Sequence, residues 1–233
     1  RRAYRRVERI FLADGDALMA RTELLIKVLE YIRVNFPECQ RVTSYASPKS
    51  VLVKTPAELK ALNELGLFMV YMGLESGSDK VLTMINKGET ASEIVKAGLM
   101  VKEAGIKLSV TAICGLGGKA LSDEHAIETA RAFSEMKPHY IGLLTLMFRS
   151  DTQLRREWQA GKFNVLSTSE VALETLKFLE NIDSEGSIVR SNHISNYWFL
   201  KGTLNSDREE LIRTVKDALA DGLDDIPPKF RGL

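Results

Sequence analysis

Four apolar runs in this chain each end in a polar or glycine cluster: Ala13-Asp14-Gly15-Asp16, Thr43-Ser44-Tyr45, Gly73-Leu74-Glu75-Ser76 and Ile113-Cys114-Gly115-Leu116-Gly117-Gly118. The steps from Asp14 through Ser44, Glu75, Cys114 and Leu146 are 30, 31, 39 and 32 residues, each the length of one strand–helix unit of a parallel sheet. Apolar runs without alternation suit strands covered on both faces. Strands of that kind bring their polar ends to one rim, and ligands of such folds bind outside the carboxyl ends of the strands.

The segments between these runs read as helices. Arg21 to Asn35 carries Leu24, Leu25, Val28, Leu29 and Ile32 at helical spacing, and Thr55-Pro56-Ala57-Glu58 combines a cap residue, a proline at the first position and a glutamate at the third. Further helices are expected over 78–86, 92–104 and 122–136, and strands over 41–45, 67–74, 107–114 and 140–147. Beyond Arg149 the pattern turns helical, over 152–160, 168–181 and 207–220, with no strand signal of comparable strength. The expected fold class is α/β: a partial (β/α) barrel of about five parallel strands over residues 1–150, with a helical extension over 151–233.

Composition narrows the function classes. With 233 residues, 45% of them hydrophobic, the chain has enough material for a full core. Lys plus Arg total 32 against 31 for Asp plus Glu, so no global field draws it to nucleic acid or an anionic membrane. The run Arg1-Arg2-Ala3-Tyr4-Arg5-Arg6 is a local exception that reads as a solvated helix end. No apolar stretch approaches the ~20 residues of a membrane span. Two cysteines, Cys39 and Cys114, stand 75 positions apart, which fits a reducing, cytoplasmic setting.

Each cluster suggests chemistry. Asp14-Gly15-Asp16 sets two carboxylates around a glycine at a strand end, suited to a ligand ammonium or to ribose hydroxyls, or to capping the next helix. Glu75 follows an apolar run and precedes Ser76-Gly77-Ser78, which makes it a rim acid. Cys114-Gly115-Leu116-Gly117-Gly118 can offer backbone N–H groups to a phosphate or let a flat ring lie against the strand. It lacks both the Lys-Ser/Thr ending of a P-loop and the spacing of a dinucleotide fingerprint. His125, after Ser122-Asp123-Glu124, reads as a surface residue.

Taken together, these segments resemble the radical S-adenosylmethionine superfamily, in the branch related to oxygen-independent coproporphyrinogen III oxidases and Elp3-like proteins. The resemblance runs from about Val7 to Arg149 and rests on Asp14-Gly15-Asp16, Gly73-Leu74-Glu75-Ser76-Gly77-Ser78, Ile85-Asn86-Lys87-Gly88 and Ser109 to Leu116. It implies that S-adenosylmethionine is the cofactor. Gly15 and Asp16 would hold the methionyl ammonium, Lys87 the carboxylate and Glu75 the ribose, while Ile113 and Gly115 would pack on adenine. Tyr45 and Thr111 stand where relatives carry ribose-binding acids. On the substrate side the resemblance implicates the segment Arg190 to Tyr197, with Asn192 and His193 in it; Arg149, just past the fifth strand, suits a substrate carboxylate.

One family element is absent from the sequence. The CxxxCxxC loop that binds a [4Fe–4S] cluster occurs nowhere in it, and two separated cysteines do not replace three clustered thiolates. In the family that cluster delivers the electron that splits S-adenosylmethionine and yields the hydrogen-abstracting 5′-deoxyadenosyl radical. The expectation is therefore a piece of a radical enzyme with its cluster loop upstream, inactive alone, whose parent uses an external electron donor and a small-molecule or other unidentified substrate. Two alternatives stay open: a cluster-free barrel enzyme using Asp14, Asp16 and Glu75 on Mg²⁺ or as acid and base, and a non-catalytic nucleotide-binding module. Several relatives act on tRNA, but the near-neutral charge argues against nucleic acid as a partner here.

Overall fold

The computed structural model describes residues 6–148 and 150–221. The elements run β1 (Arg9–Leu12), α1 (Thr22–Asn35), β2 (Arg41–Tyr45), α2 (Pro48–Leu52), α3 (Pro56–Glu64), β3 (Leu67–Glu75), α4 (Asp79–Met84), α5 (Ala91–Glu103) and β4 (Lys107–Cys114). They continue with α6 (Gly118–Met136), β5 (Tyr140–Thr145), α7 (Gln153–Gln159), α8 (Thr168–Asn181), β6 (Ile188–Arg190), β7 (Lys201–Thr203) and α9 (Arg208–Ala220). Among the described residues, seven strands form one sheet in sequence order. The observed pairs β1–β2, β2–β3 and β5–β6 are parallel, as the strand–helix rhythm predicts, and β6–β7 is antiparallel.

Two compact units divide the chain: residues 1–73 with 93–110, and residues 74–92 with 111–233. The boundary passes through β3 and β4, whose first residues belong to the first unit and whose last residues belong to the second. In the first unit, α1 buries Leu25, Leu29 and Ile32, spaced four and three residues apart on one face. Helix α3 starts on the expected signal: the Thr55 hydroxyl accepts from the Glu58 N–H, the Glu58 carboxylate accepts from the Thr55 N–H, and Pro56 occupies the first turn. Such a cap contributes about 1 kcal/mol. Glu58 also accepts from the Thr22 hydroxyl at 2.6 Å, and these bonds, Thr22 first, hold its carboxyl down at about 2.

In the second unit, Val81, Leu116, Leu154 and Phe163 form a buried cluster, against which Ile113, Leu121, Leu146 and Phe148 pack. The carboxyl-terminal region corrects the all-helical expectation: Ile188–Arg190 and Lys201–Thr203 are short strands that extend the sheet beyond β5. Three-residue strands fall below the run length at which apolar patterning registers. Helix α2 was also unanticipated. It opens on Ser47, whose hydroxyl accepts from the Ser50 N–H, with Pro48 at its first position. No helix among the described residues is long and apolar enough to cross a membrane.

Candidate functional site

The end of β1 lies in the first unit. Asp14 adopts φ +101°, a conformation L-residues avoid, and Asp14 and Gly15 are exposed. Asp16 is half-buried and engaged: Oδ1 accepts from the Ser47 N–H at 3.0 Å and Oδ2 from the Ser47 hydroxyl at 2.6 Å. Since Ser47 caps α2, Asp16 ties the turn after β1 to the start of that helix. Each oxygen keeps a lone pair for a further donor. On the same unit Phe11, Tyr45 and Tyr71, from three neighbouring strands, form an aromatic group with centroids 4.8, 5.9 and 6.1 Å apart.

The ends of β3 and β4 lie in the second unit. Glu75 closes β3 with φ +61°, and a charged residue in the left-handed region at a strand end is the strain that marks functional positions. Its Oε1 lies 3.2 Å from Lys87 Nζ, both side chains being about four-fifths buried. The structure thus pairs the expected ribose acid with the expected carboxylate-binding cation. Gly77 then lets α6 approach closely, since a Cβ there would stand 2.1 Å from the Glu128 carbonyl oxygen. The Gly77 N–H donates to Thr129 Oγ1 at 2.9 Å, and the Ser78 hydroxyl to Glu124 at 2.7 Å.

At the end of β4, Gly115 takes φ +82°, a conformation that favours glycine. It lines a small apolar cavity of about 20 Å³ together with Phe148 and Trp158, whose rings stack at 5.0 Å. That is room for about one water, so this particular cavity is not the place of a nucleobase. Ile113, half-buried, packs against the core cluster. The Cys114 thiol is pushed up to about 12, by burial first and then by the Glu174 carboxylate, which makes it an unreactive thiol.

Two residues here were not recognised in the sequence as site components. Glu174 of α8 accepts the Gly115 N–H on Oε1 at 2.6 Å and the Ser122 hydroxyl on Oε2 at 2.6 Å. Burial raises its carboxyl to about 7, against those two bonds. His125 is not on the surface: it is 3% exposed, because α6 begins at Gly118 and turns this position inward. Its Nδ1 lies 2.8 Å from the Ser76 hydroxyl, which itself accepts the Ser78 N–H at 3.0 Å. With its acceptor role filled by that N–H, the hydroxyl donates to Nδ1 of the neutral ring. Burial lowers this imidazole to about 4. With the ring neutral, its 3.8 Å approach to Glu174 is a contact and not an ion pair.

Of the expected substrate residues, Asn192 and His193 are exposed in the loop after β6. That loop is held to β5: the Thr145 N–H donates to Ser195 Oγ at 3.0 Å, Thr145 Oγ1 donates to Asn196 at 2.9 Å, and Asn196 Nδ2 donates to the Leu143 carbonyl at 2.8 Å. Ser195 Oγ in turn lies 2.8 Å from His193 Nδ1. Arg149 lies outside the described residues. A cleft of about 460 Å³ between α6 and α8 is lined by Lys119, Glu170, Asp123 and Lys177, with Ser122 and Glu174 in its wall, and by none of the residues expected from the sequence. Its ion pairs are Lys119–Glu170 at 2.7 Å and Lys177–Asp123.

Over residues 1–133 the sequence matches the Radical SAM superfamily. The chain belongs to that superfamily. Its curated relatives include an uncharacterized protein of Methanocaldococcus jannaschii, 25% identical over 137 residues, which are 55% of this chain and 42% of that protein. A tRNA uridine(34) acetyltransferase of Methanocaldococcus infernus is 21% identical over 126 residues, 54% of this chain and 23% of the relative. The chain thus spans less than half the length of these relatives. Among solved structures, Methanocaldococcus infernus Elp3 lacking residues 1–46 superposes with TM-score 0.63 at 16% identity, over 94% of this chain and 56% of that one. The coproporphyrinogen III oxidase HemN of Escherichia coli gives 0.57 at 17% identity, over 76% of this chain and 41% of that one. The architecture is that of a partial radical SAM (β/α) barrel.

Radical SAM proteins carry S-adenosylmethionine and a [4Fe–4S] cluster, and the residues present fit the two groups differently. Among the described residues no three His, Cys, Asp or Glu side chains come together as a metal site, and the whole sequence holds two cysteines. The cluster does not fit this donor set. The reading of Asp14, Asp16 and Glu75 as Mg²⁺ ligands finds no support. For the nucleoside, the Glu75–Lys87 pair at a strand end and the glycine turn at Gly115 are the kinds of group it requires.

Proposed function

We propose that this chain is the S-adenosylmethionine-binding part of a radical SAM enzyme whose reaction is hydrogen abstraction by a 5′-deoxyadenosyl radical. The observation that carries the reading is the largely buried Glu75–Lys87 pair, with Glu75 held in the left-handed conformation at the end of β3. In this reading the pair is a placeholder. Lys87 turns to the methionyl carboxylate and Glu75 to the ribose hydroxyls, so each charge keeps a partner when the ligand binds and neither is left desolvated alone. Gly15 and Asp16 receive the ammonium, and Ile113 and Gly115 the adenine. Asn192 and His193 are assigned to a substrate of unidentified class, as is Arg149, which lies outside the described residues; the parent enzyme draws on an electron donor in the cytoplasm. Nucleic acid is not the proposed partner, given a formal net charge of +1.

The cluster thiolates are proposed to come from outside these 233 residues, because the sequence has no three clustered cysteines. Titration calorimetry with S-adenosylmethionine tests the binding half. Saturable binding is expected, weakened at least about tenfold by Glu75→Gln or Lys87→Ala, each of which removes a charged hydrogen-bonding group. Anaerobic iron–sulfur reconstitution followed by assay for 5′-deoxyadenosine tests the other half. The 233 residues alone are expected to give none, and cluster-dependent product would overturn the assignment.

A further inference from the structure

We infer that Glu174 and His125 are positioning residues for the nucleoside site, fixing from the helix layer the backbone that the ligand must meet. The inference rests on the function proposed above and deepens it. Neither residue belongs to the strands whose ends carry the expected ligand contacts. Both grip those ends nonetheless. Glu174 accepts the Gly115 N–H at 2.6 Å, which holds the backbone just past β4, and His125 lies against Glu174 at 3.8 Å. Through the Ser76 hydroxyl, 2.8 Å away, His125 also holds the residue that follows Glu75. One of the proposed adenine contacts, Gly115, and the neighbour of the proposed ribose contact, Ser76, thus converge on one buried pair of side chains.

A purely structural role does not account for the choice of groups. A buried N–H needs one acceptor, which a backbone carbonyl or an amide supplies without placing an ionisable group where its side chain is 2% exposed. What the carboxyl group adds is stiffness, because its two oxygens take two short bonds at once, from Gly115 just past β4 and from Ser122 on α6. Preorganised groups of this kind place a ligand-facing backbone more tightly than packing alone. The charged and titratable groups around the carboxyl are His125, Cys114 and Asp123, and across the cleft that it lines stand Glu180 and the pairs Lys119–Glu170 and Lys177–Asp123.

The experiment measures S-adenosylmethionine affinity by calorimetry on the full 233-residue chain, together with the Gly115 amide resonance in glycine-labelled protein. Glu174→Met removes the acceptor and is expected to weaken binding at least about tenfold, with the Gly115 amide moving strongly upfield. Glu174→Gln keeps an acceptor oxygen and is expected to stay within about threefold of the parent chain. Equal affinity in Glu174→Met, at an equal folded fraction by circular dichroism, overturns the inference while leaving the proposed function standing. No binding by the parent chain overturns both. Should Glu174→Met fail to fold, Ser122→Ala loosens the same carboxylate from its other oxygen. Weaker binding and a shifted Gly115 amide are then expected, and no change in either overturns the inference.

Discussion

Replacing Glu174 by Gln should change how stability depends on pH, and the size of the change follows from the buried pair. Burial raises the Glu174 carboxyl to about 7 from 4.5, and lowers His125 to about 4 from 6.5. Between pH 4.5 and 6.5 the unfolded chain therefore carries a protonated imidazole and an ionised carboxylate, and the folded chain a neutral imidazole and a protonated carboxyl. Each state binds one proton across the two groups. Their joint contribution to the pH slope of stability is near zero. Individually they oppose each other. His125, with its folded value depressed, contributes stability that is lost as pH falls from about 6.5 to about 4. Glu174, with its folded value raised, contributes stability that is present below 4.5 and lost as pH rises to about 7.

Glu174→Gln leaves only the first half. Relative to the parent chain its unfolding free energy should rise by about 1.4 kcal/mol per pH unit between 4.5 and 7, about 3 kcal/mol across the window. Urea unfolding followed by circular dichroism at several pH values in that window gives the difference directly, because every other titrating group is common to both proteins. A difference that does not move with pH would mean that Glu174 is ionised in the fold throughout, which defeats the neutral-pair argument.

Two further outcomes follow from other parts of the second unit. Gly77→Ala forces a Cβ to within 2.1 Å of a backbone oxygen of α6; strand end and helix must part, and thermal melting should show a loss of about 2–3 kcal/mol, where an unchanged melting temperature refutes the close approach. Maleimide should modify Cys114 only on unfolding, since its thiol stands at about 12, so mass spectrometry of the native chain should find that site unlabelled at neutral pH.

Much of this was legible in the sequence, for identifiable reasons. A strand–helix unit has a characteristic length, so steps of 30 to 39 residues between polar strand ends already specify a parallel sheet. Thr55-Pro56-Ala57-Glu58 was readable because a capping box is a local device, complete within four residues, and the structure forms it as written. Glu75 stood out because an acid directly after an apolar strand has nowhere to go but the strand's end. The signals that failed were short or tertiary. Helix α2 is five residues long and β6 and β7 three each, too short for periodicity to separate them from loop.

His125 and Glu174 were missed for a different reason, one that bears on how such sites are built. Ser122-Asp123-Glu124-His125 reads as a solvated helix start, yet His125, Thr129, Phe133 and Met136 recur at the spacing of one helix face, and all four are buried. On α8 the same phase carries Val171, Glu174, Thr175 and Phe178. The signal was therefore present as phase: an ionisable residue in register with the apolar stripe of its own helix. Polarity alone assigns such a residue to the surface. Phase assigns it to the interior, where its charge has to be suppressed or bonded, and a group in that position is best explained by what it bonds. Here those bonds go to the backbone of Gly115 and to the hydroxyl of Ser76, so that side chains of the helices α6 and α8 hold the residues that follow β3 and β4 in place.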